Sequence, residues 1–390
     1  MGITTIIIAV LAFGFLIFVH ELGHFVVARL TGIRVYEFSI GMGPKLVWYD
    51  SKKTGIRYKL CMFPFGGYVS MAEGMDESAP SDDPQAFSNQ KAWKRFLVTI
   101  AGGTVNLFIG FLLMLSVVIG TTMTTTVVAD FPPDLAISEV GTDAYGLMPE
   151  DEIISVGGKR VHTTLEMDYE IMRRGIAPVE VVVLRDTDGD GIRESRVALT
   201  VTFPTETEKG QTIGTRDFRV YSGTKTVGSV LRETFYRSAC LVRMVWESLF
   251  DLVTGRYGIE AVSGPIGITG TVGEAVSYGI FPFLYLISMI SINLGVLNLI
   301  PLPALDGGRM FFLLIEMIFK KPVPRELEAK IHGIGLLVLL LFSFFVAFIM
   351  AILIYGTLLL VFQVLTEEEI KEMPLGTKMY RLLQKIHVFE

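Results

Sequence analysis

The strongest constraint in this chain is its long apolar runs. Residues 3 to 28 carry no charged side chain before Glu21, and further runs cover 96 to 120, 280 to 300 and 333 to 363. A helix needs about 20 apolar residues to cross a bilayer, and each run is long enough. The first run lacks the basic start and the cleavage site of a signal peptide, so we expect it to be retained. The sequence therefore predicts a polytopic α-helical membrane protein with four transmembrane helices.

Composition supports this class and excludes others. Hydrophobic residues make up 51% of the chain and charged residues 19%, which is unusual for a soluble protein. The net charge is −6, and no basic run is interleaved with aromatic residues, so nucleic acid is not an expected partner. Cys61 and Cys240 are the only cysteines and lie far apart, which predicts neither a disulfide nor a thiolate zinc site.

The basic residues between the runs predict the orientation in the membrane. They cluster in the loop after the first span and in the linker before the last, and the positive-inside rule makes both cytoplasmic. Residues 129 to 279 then lie on the outer side. The basic residues are Arg34, Lys45, Lys52, Lys53, Arg57, Lys59, Lys91, Lys94 and Arg95 in the loop, and Lys320, Lys321, Arg325 and Lys330 in the linker.

The segments between the spans have patterns of their own. In the cytoplasmic loop, VYEFSIGMGPKLVWYD and GIRYKLCMFPFGGYVSM alternate apolar and polar residues around DSKKTG, which predicts a β-hairpin. Residues 129 to 203 contain short strand-like stretches and one helical stretch, TTLEMDYEIMRRG, which together predict a compact β-rich module. From Val227 the apolar residues follow helical spacing, so we expect an amphipathic helix at the membrane interface or packed on the module.

The segment HELGH at the end of the first run carries the clearest chemical signal. His20 and His24 are four residues apart, so on a helix they share one face and can bind a single zinc ion, with Glu21 beside them as a candidate general base. Polar contacts between spans are the alternative. Three ionisable groups within one turn of a membrane helix are costly unless they have a function, so zinc is the favoured prediction.

A zinc hydrolase usually has three protein ligands, and the third must come from elsewhere. Asp306 lies in NLGVLNLIPLPALDGGRM, where prolines and glycines predict a helix broken at membrane depth, and such backbone must line a cavity. An ionised aspartate there needs a cation to offset its desolvation. Two alternatives stay open: His332 could complete the site, or Asp306 could cap a helix that starts at Gly307.

Together, these features resemble a known family. HELGH at the end of a first span, NLIPLPALDGG in a later span, GMG in the hairpin and an inserted outer module are similar to the M50-type site-2 proteases. The resemblance covers nearly the whole chain and is closest to the bacterial branch of regulated intramembrane proteolysis with one PDZ domain. It implies that His20, His24 and Asp306 bind zinc and that Glu21 is the general base.

The resemblance also implies a setting and substrates. It places the protein in the bacterial inner membrane, with the active site towards the cytoplasm and the PDZ-like domain outside the cytoplasm. The expected substrates are single-span membrane proteins, such as anti-sigma factors or signal-peptide remnants, cleaved within their transmembrane segments by a monomeric enzyme. A substrate helix must unwind locally, because helical backbone hides its carbonyls in hydrogen bonds.

Further residue roles follow from the resemblance. It implies that Asn298 helps to hold the substrate, and that the hairpin around Gly41 and Gly43 offers an edge strand to the unwound substrate. Two positions depart from the family pattern: Glu150 stands where a glycine is usual, and Gly103 where a proline is common.

The predicted domains follow in chain order. They are residues 1–128 with two transmembrane helices, HELGH and a membrane-associated β-hairpin, 129–205 as the PDZ-like domain, 206–279 as an amphipathic helical linker, 280–365 with transmembrane helices three and four, and 366–390 as a tail.

Two other functions compete with the protease. A catalytically inactive PDZ scaffold would not need Glu21, and a zinc transporter would need ligands spread along a path rather than converging on one place. Separately, DTDGDGIRE at 186 to 194 places Asp186, Asp188 and Asp190 as in an EF-hand loop, but its twelfth position is Val197. A plain hairpin turn is therefore favoured over a calcium site.

Overall fold

The structure is a computed structural model that describes residues 3–71, 83–132, 141–208, 211–255, 265–324 and 326–338, together with 340, 341 and 344. Its contacts divide the chain into two units. The first comprises Met1–Pro301 and Leu305–Pro322, and the second comprises Leu302–Ala304 and Val323–Glu390.

Seven helices have defined bounds within the described residues. They are α1 (Ile3–Thr31), α2 (Ala92–Gly120), α3 (Thr164–Arg174), α4 (Val227–Thr254), α5 (Pro265–Ser277), α6 (Ile280–Leu299) and α7 (Asp306–Phe319). Residues 326–338 are also helical.

Three of these helices are long and apolar enough to cross a membrane. Among the described residues they are Thr4–Thr31, Ala92–Gly120 and Ile280–Leu299. They correspond to the first three predicted runs. Most of the fourth, 333 to 363, lies outside the described residues. The chain is thus an integral membrane protein by the length and composition of its helices.

The loop between the first two spans is more elaborate than the predicted hairpin. Strands β1 (Val35–Asp50) and β2 (Arg57–Met71) pair with each other twice. Phe38 has both Tyr58 and Val69 as partners, and Tyr58 also pairs with Tyr49. The two strands therefore fold back on themselves into four segments, which lie in the order 47–50, 57–60, 35–40 and 67–71.

Glycines make this fold-back possible. Gly41 and Gly43 have φ angles of 81° and 88°, in the left-handed region that favours glycine. A Cβ at Gly41 would also lie 2.5 Å from the carbonyl oxygen of Phe63. Gly41 and Gly43 consequently lie at the bend, whereas 47–50 and 67–71 are the edges of the sheet among the described residues.

The module between the second and third spans contains a six-stranded sheet with the order β10-β3-β4-β6-β7, in which β5 pairs with β4. Its strands are β3 (Thr124–Asp130), β4 (Glu152–Val156), β5 (Lys159–Arg160), β6 (Val179–Arg185), β7 (Ser195–Val201) and β10 (Arg219–Ser222). Strands β8 (Thr205–Glu208) and β9 (Gln211–Gly214) form a separate pair. Val220 of β10 pairs with Val128 of β3, so the sheet extends on both sides of the range 129–205.

The module has its own aliphatic core, which lies between the sheet and α3. Ile153, Val181 and Phe218 are fully buried in it, and Met167 and Ile171 are contributed by α3. Helix α3 coincides with the stretch that the sequence marked as helical. Its N-cap is Thr163, whose hydroxyl oxygen accepts the N–H of Glu166 at 3.2 Å.

Glu150 shows how the module accommodates one departure from the family pattern. Its φ of 71° is left-handed, which explains why a glycine is usual at this position. The side chain contacts Arg193 and Tyr221. These polar contacts offset part of the backbone strain that a non-glycine residue has there.

The acidic stretch DTDGDG forms the turn between β6 and β7, which pair over their full length. Asp186 accepts the N–H groups of Gly189 and Gly191 at 2.7 and 2.8 Å, and these donors hold its pKa below the usual value. Asp186, Asp188 and Asp190 do lie close together, but their carboxylates mainly satisfy turn amides. The arrangement is that of the predicted hairpin turn.

Helix α4 packs on the module through paired charges. The fully buried carboxylate of Glu170 on α3 lies 2.6 Å from Arg174 and 3.0 Å from Arg243 of α4. Arg173 lies 2.5 Å from Asp251, which is also buried. Buried charges are tolerated only when they are paired, so this network joins the two helices.

The remaining faces of α4 differ from one another. Leu241 packs in a cluster with Met114 of α2 and Ile292 of α6. An apolar stripe stays exposed, formed by Val227, Leu231, Phe235, Trp246 and Phe250.

Burial raises the pKa of the Cys240 thiol to about 11, so this cysteine is a neutral packing residue, and both cysteines are free.

Helices α2 and α6 approach each other closely through small residues. A Cβ at Gly295 would lie 2.8 Å from the carbonyl oxygen of Gly103. Ser288 and Ser291 donate to the carbonyl oxygens of Gly110 and Asn106 at 2.7 and 2.8 Å. Small residues and neutral hydrogen bonds of this kind hold helices together in lipid. A proline at Gly103 would lack the backbone N–H of a residue inside the helix.

Candidate metal and active site

The HELGH segment lies within the last three turns of α1, which presents both histidines to the same place. His20 Nε2 and His24 Nε2 are 3.2 Å apart. Both imidazoles are largely buried, with side-chain exposures of 12% and 11%. The spacing of four residues thus produces the shared face that the sequence predicted.

Asp306 lies beside the two histidines although it follows His24 by 282 residues in the sequence. Its Oδ2 lies 3.1 Å from His20 Nε2 and 3.2 Å from His24 Nε2. Helix α6 ends at Leu299, and α7 begins at Asp306 after a segment in which Ala304 has a φ of 73°. The predicted helix break is therefore present, and it delivers the carboxylate to the site.

The alternatives for Asp306 and His332 can now be compared with the structure. The N-cap residue of α7 is Leu305, without a side-chain capping bond, so Asp306 does not act as the cap. His332 belongs to the second unit, where its Nδ1 accepts the N–H of Ala304 at 3.0 Å. Asp306 lies with His20 and His24 in one cluster of possible metal ligands.

The opposite side of each imidazole is also held. The Nδ1–H of His24 donates to the carbonyl oxygen of Val98 on α2, at 2.7 Å. Because a carbonyl can only accept, the proton of the neutral ring lies on Nδ1 and leaves the Nε2 lone pair for a metal. The amide of Asn106 lies 3.3 Å from His20 Nδ1.

Two glycines allow the helices to approach at this level. A Cβ at Gly102 of α2 would lie 2.3 Å from His24 Nε2 and 2.6 Å from His20 Cε1. A Cβ at Gly23 of α1 would lie 2.7 Å from the carbonyl oxygen of Ala101. The glycine within HELGH therefore provides contact with α2, and Gly102 leaves room for the imidazoles.

The donor set fits zinc. The three ligand atoms form a triangle with sides of 3.2, 3.1 and 3.2 Å. In a tetrahedral zinc site with metal–ligand distances of about 2.0 to 2.2 Å, ligand atoms lie about 3.3 Å apart. With its proton on Nδ1, His24 turns a lone pair towards the Asp306 carboxylate, and two acceptors at this separation need a cation between them.

Glu21 lies next to segment 67–71, which is one edge of the folded-back sheet. It is partly buried, and a Cβ at Gly67 of β2 would lie 3.0 Å from its Cγ. The backbone of Val69 lies near its carboxylate. The segment 67–71 is thereby placed beside the candidate general base.

The other predicted residues make local contacts within their own elements. The side chain of Asn298 donates to the carbonyl oxygen of Leu294 on its own helix at 3.0 Å. Gly41 and Gly43 lie at the bend of the sheet. Sequence reasoning did not assign roles to Val98, Gly102 and Asn106, although their spacing of four residues along an apolar helix marks one face.

The site and the helices define a class. An integral membrane protein with two histidines, a carboxylate and an adjacent glutamate at one place is a membrane-embedded metallohydrolase.

Comparison with known proteins gives the family. The model of Peptidase family M50 matches residues 8–342, and the chain belongs to this family. This match and the names of the relatives confirm three predictions. The protein is of the site-2 protease type, it is a metalloprotease, and its metal is zinc.

The similarity covers most of this chain and nearly the whole length of each relative. A Clostridium perfringens protein named "Putative zinc metalloprotease CPE1693" is 34% identical over 338 residues, which are 86% of this chain and 95% of that protein. A Fusobacterium nucleatum protein with the same description is 32% identical over 342 residues, with 87% and 96% covered. Zinc metalloprotease RasP of Geobacillus kaustophilus is 29% identical over 418 residues, with 86% and 95% covered.

Proposed function

We propose that this membrane zinc metalloprotease is an intramembrane protease, which hydrolyses peptide bonds within the transmembrane segments of single-span membrane proteins. The observation that carries the proposal is the depth of the ligands. His20 follows Ile3 by about 26 Å of apolar helix at 1.5 Å per residue, so a bond cleaved here lies within the span. Regulated intramembrane proteolysis is the pathway that suits such an enzyme.

The residues of the chain divide the chemistry between them. His20, His24 and Asp306 would hold the metal, which supplies Lewis acidity towards a peptide carbonyl and a water molecule. Glu21 accepts the proton of the attacking water and returns it to the leaving amine. Gly67 of β2 leaves room for the Glu21 side chain beside the sheet, since a Cβ there would lie 3.0 Å from Glu21 Cγ. The cytoplasmic end of the spans is the side from which water enters.

The folded-back sheet supplies the means to hold an unwound substrate. Segment 67–71 has partners on one side only among the described residues, and it adjoins Glu21. A substrate strand added to this edge would bring its carbonyls to the metal ligands. Gly41 and Gly43 contribute by bending β1, and Asn298 contributes polar groups to the substrate from the end of α6.

The sheet and the outer module complete the topology. The far part of the sheet exposes apolar side chains, which suits association with the membrane. They include Met42, Leu46, Val47, Trp48 and Tyr49. With the basic loop in the cytoplasm, the module lies outside it, as a PDZ-like domain that contacts substrates beyond the membrane.

The experiment that tests the function compares the wild type with Glu21→Gln on a reconstituted transmembrane substrate. The variant should lose cleavage and keep about one zinc per chain, because the amide removes the base and no ligand. Undiminished turnover in the variant would exclude Glu21 as the base. A wild type that binds zinc without cleavage would favour a scaffold, and zinc flux across vesicles would favour a transporter.

A further inference from the structure

Asn106 is a buried polar side chain whose hydrogen bonds are incomplete as they stand. It is fully buried on α2, and its Nδ2 lies 3.3 Å from His20 Nδ1, whereas its Oδ1 has no hydrogen-bond partner. A buried acceptor without a partner is destabilising, because the hydrogen bonds that it made to water are lost and not replaced. The backbone carbonyl of the same residue already accepts from Ser291, so only the side-chain amide remains to be explained.

A rotation of the amide by half a turn gives Oδ1 the hydrogen-bond partner that it lacks. The nitrogen and oxygen of an asparagine amide have nearly the same shape, so the hydrogen-bond network decides which one faces the ring. With Oδ1 towards the ring, it accepts the Nδ1–H of His20. The lone pair of His20 Nε2 then points towards Asp306 and His24. The hydrogen bond from His24 Nδ1 to Val98 orients His24 Nε2 towards the same place in the same way.

We propose that Asn106 is a positioning residue for the metal ligand His20: its Oδ1 accepts the Nδ1–H, fixes the tautomer and holds the ring plane. This inference rests on the zinc site of the proposed function. Two contacts of different kinds then hold the two imidazoles, a backbone carbonyl for His24 and a side-chain amide for His20. Both come from the same face of α2, with Gly102 between them.

The proposal predicts an order of zinc affinities. Asn106→Leu has a similar size and no acceptor, so zinc affinity should fall about 10- to 100-fold, as is usual when an outer partner of a metal-binding histidine is lost. Asn106→Asp keeps an acceptor at Oδ1 and should stay within a few-fold of the wild type. Ser291→Ala is the control, because it removes a contact of Asn106 without touching its amide.

The measurement is competition for zinc between a chelator and the full-length chain in detergent, combined with the visible spectrum of the cobalt-loaded protein. The cobalt spectrum of Asn106→Leu should shift, and that of Ser291→Ala should not. Affinity of Asn106→Leu equal to that of the wild type would overturn the proposal. Equal losses in the Asp and Leu variants would also overturn it, since space filling rather than an acceptor would then be the role.

Two further controls keep these results interpretable. If the Leu variant does not fold, Asn106→Asp alone decides, because a loss of tenfold or more despite the retained acceptor contradicts the proposal. A wild type that fails to bind zinc would instead contradict the proposed function, so the two failures are distinguishable.

Discussion

Two layers of this protein use different means to hold helices together. The membrane layer contains α1, α2 and α6, and the outer layer contains α3, α4 and the six-stranded sheet. Between α2 and α6, the contacts are glycine against glycine and serine hydroxyls donating to carbonyls. Between α3 and α4, the contacts are buried carboxylates and guanidinium groups, with Glu170 paired to both Arg174 and Arg243.

The difference follows from the surroundings. Lipid offers no hydrophobic force between apolar helices, so their association depends on close approach and neutral hydrogen bonds. In the membrane layer, His20, His24 and Asp306 converge on one place, where a cation is expected. In the outer layer, charged side chains are hydrated before folding, and they can be buried on folding when each one is paired with an opposite charge. The membrane layer should therefore be sensitive to side-chain volume, and the outer layer to loss of charge.

The largest effect is expected from Gly102→Ala, which adds one methyl group and no charge. Its Cβ would lie 2.3 Å from His24 Nε2, so the imidazoles must move. Zinc affinity should fall about 100-fold or more, at or beyond the upper end of what outer partners contribute. Gly228→Ala on α4 is the matched control, because its Cβ meets only Thr226 Oγ1, at 3.9 Å. Chelator competition measures both, and unchanged affinity in Gly102→Ala would remove the volume argument.

An intermediate effect is expected from Glu170→Gln, which changes charge and almost no volume. It leaves Arg174 and Arg243 without their charged partner and should destabilise the α3–α4 contact by about 2 kcal/mol, because the amide oxygen can still accept a hydrogen bond. Thermal unfolding followed by tryptophan fluorescence reports this, since Trp246 lies on α4. Zinc affinity should not change. The control is Glu180→Gln, because Glu180 is an exposed residue of β6, and equal unfolding temperatures in the two variants would contradict the charge argument.

The smallest effect is expected at Glu150, where backbone strain opposes surface contacts. Glu150→Gly relieves a left-handed φ of 71° and loses exposed contacts, so stability should change by less than about 1 kcal/mol. Glu150→Ala keeps the strain and loses the contacts, so it should be less stable than the glycine variant by about 1 kcal/mol. Denaturant unfolding of both variants decides this, and a glycine variant no more stable than the alanine variant would show that strain is absent.

Periodic and chemically costly features were accessible from the sequence. Apolar length predicted three observed spans, HELGH predicted a shared histidine face, and the prolines before Asp306 predicted a broken helix. These features are local, or they are expensive enough in lipid to indicate a function. The turn at Asp186 was accessible for the same reason, because turn chemistry is read over a few residues.

Features that depend on distant partners were not accessible. Alternation over β1 and β2 predicted a hairpin, but it cannot show that Phe38 pairs with Tyr58 as well as with Val69. Strands β3 and β10 are distant in sequence, so their pairing lies outside any local pattern. The roles of Gly102 and Asn106 depend on which face of α2 meets α1, and an apolar helix with small residues on several sides does not reveal that face.

The three contacts that α2 makes with the histidines also limit where the chain can change in length. Val98, Gly102 and Asn106 follow one another at intervals of four residues, and one inserted residue rotates everything after it by about 100° on the helix. An insertion between Val98 and Asn106 would turn the amide away from His20. An insertion in the exposed turn DSKKTG would only lengthen a loop. We therefore expect homologous chains to differ in length in that loop and to keep this nine-residue stretch of α2 free of insertions and deletions.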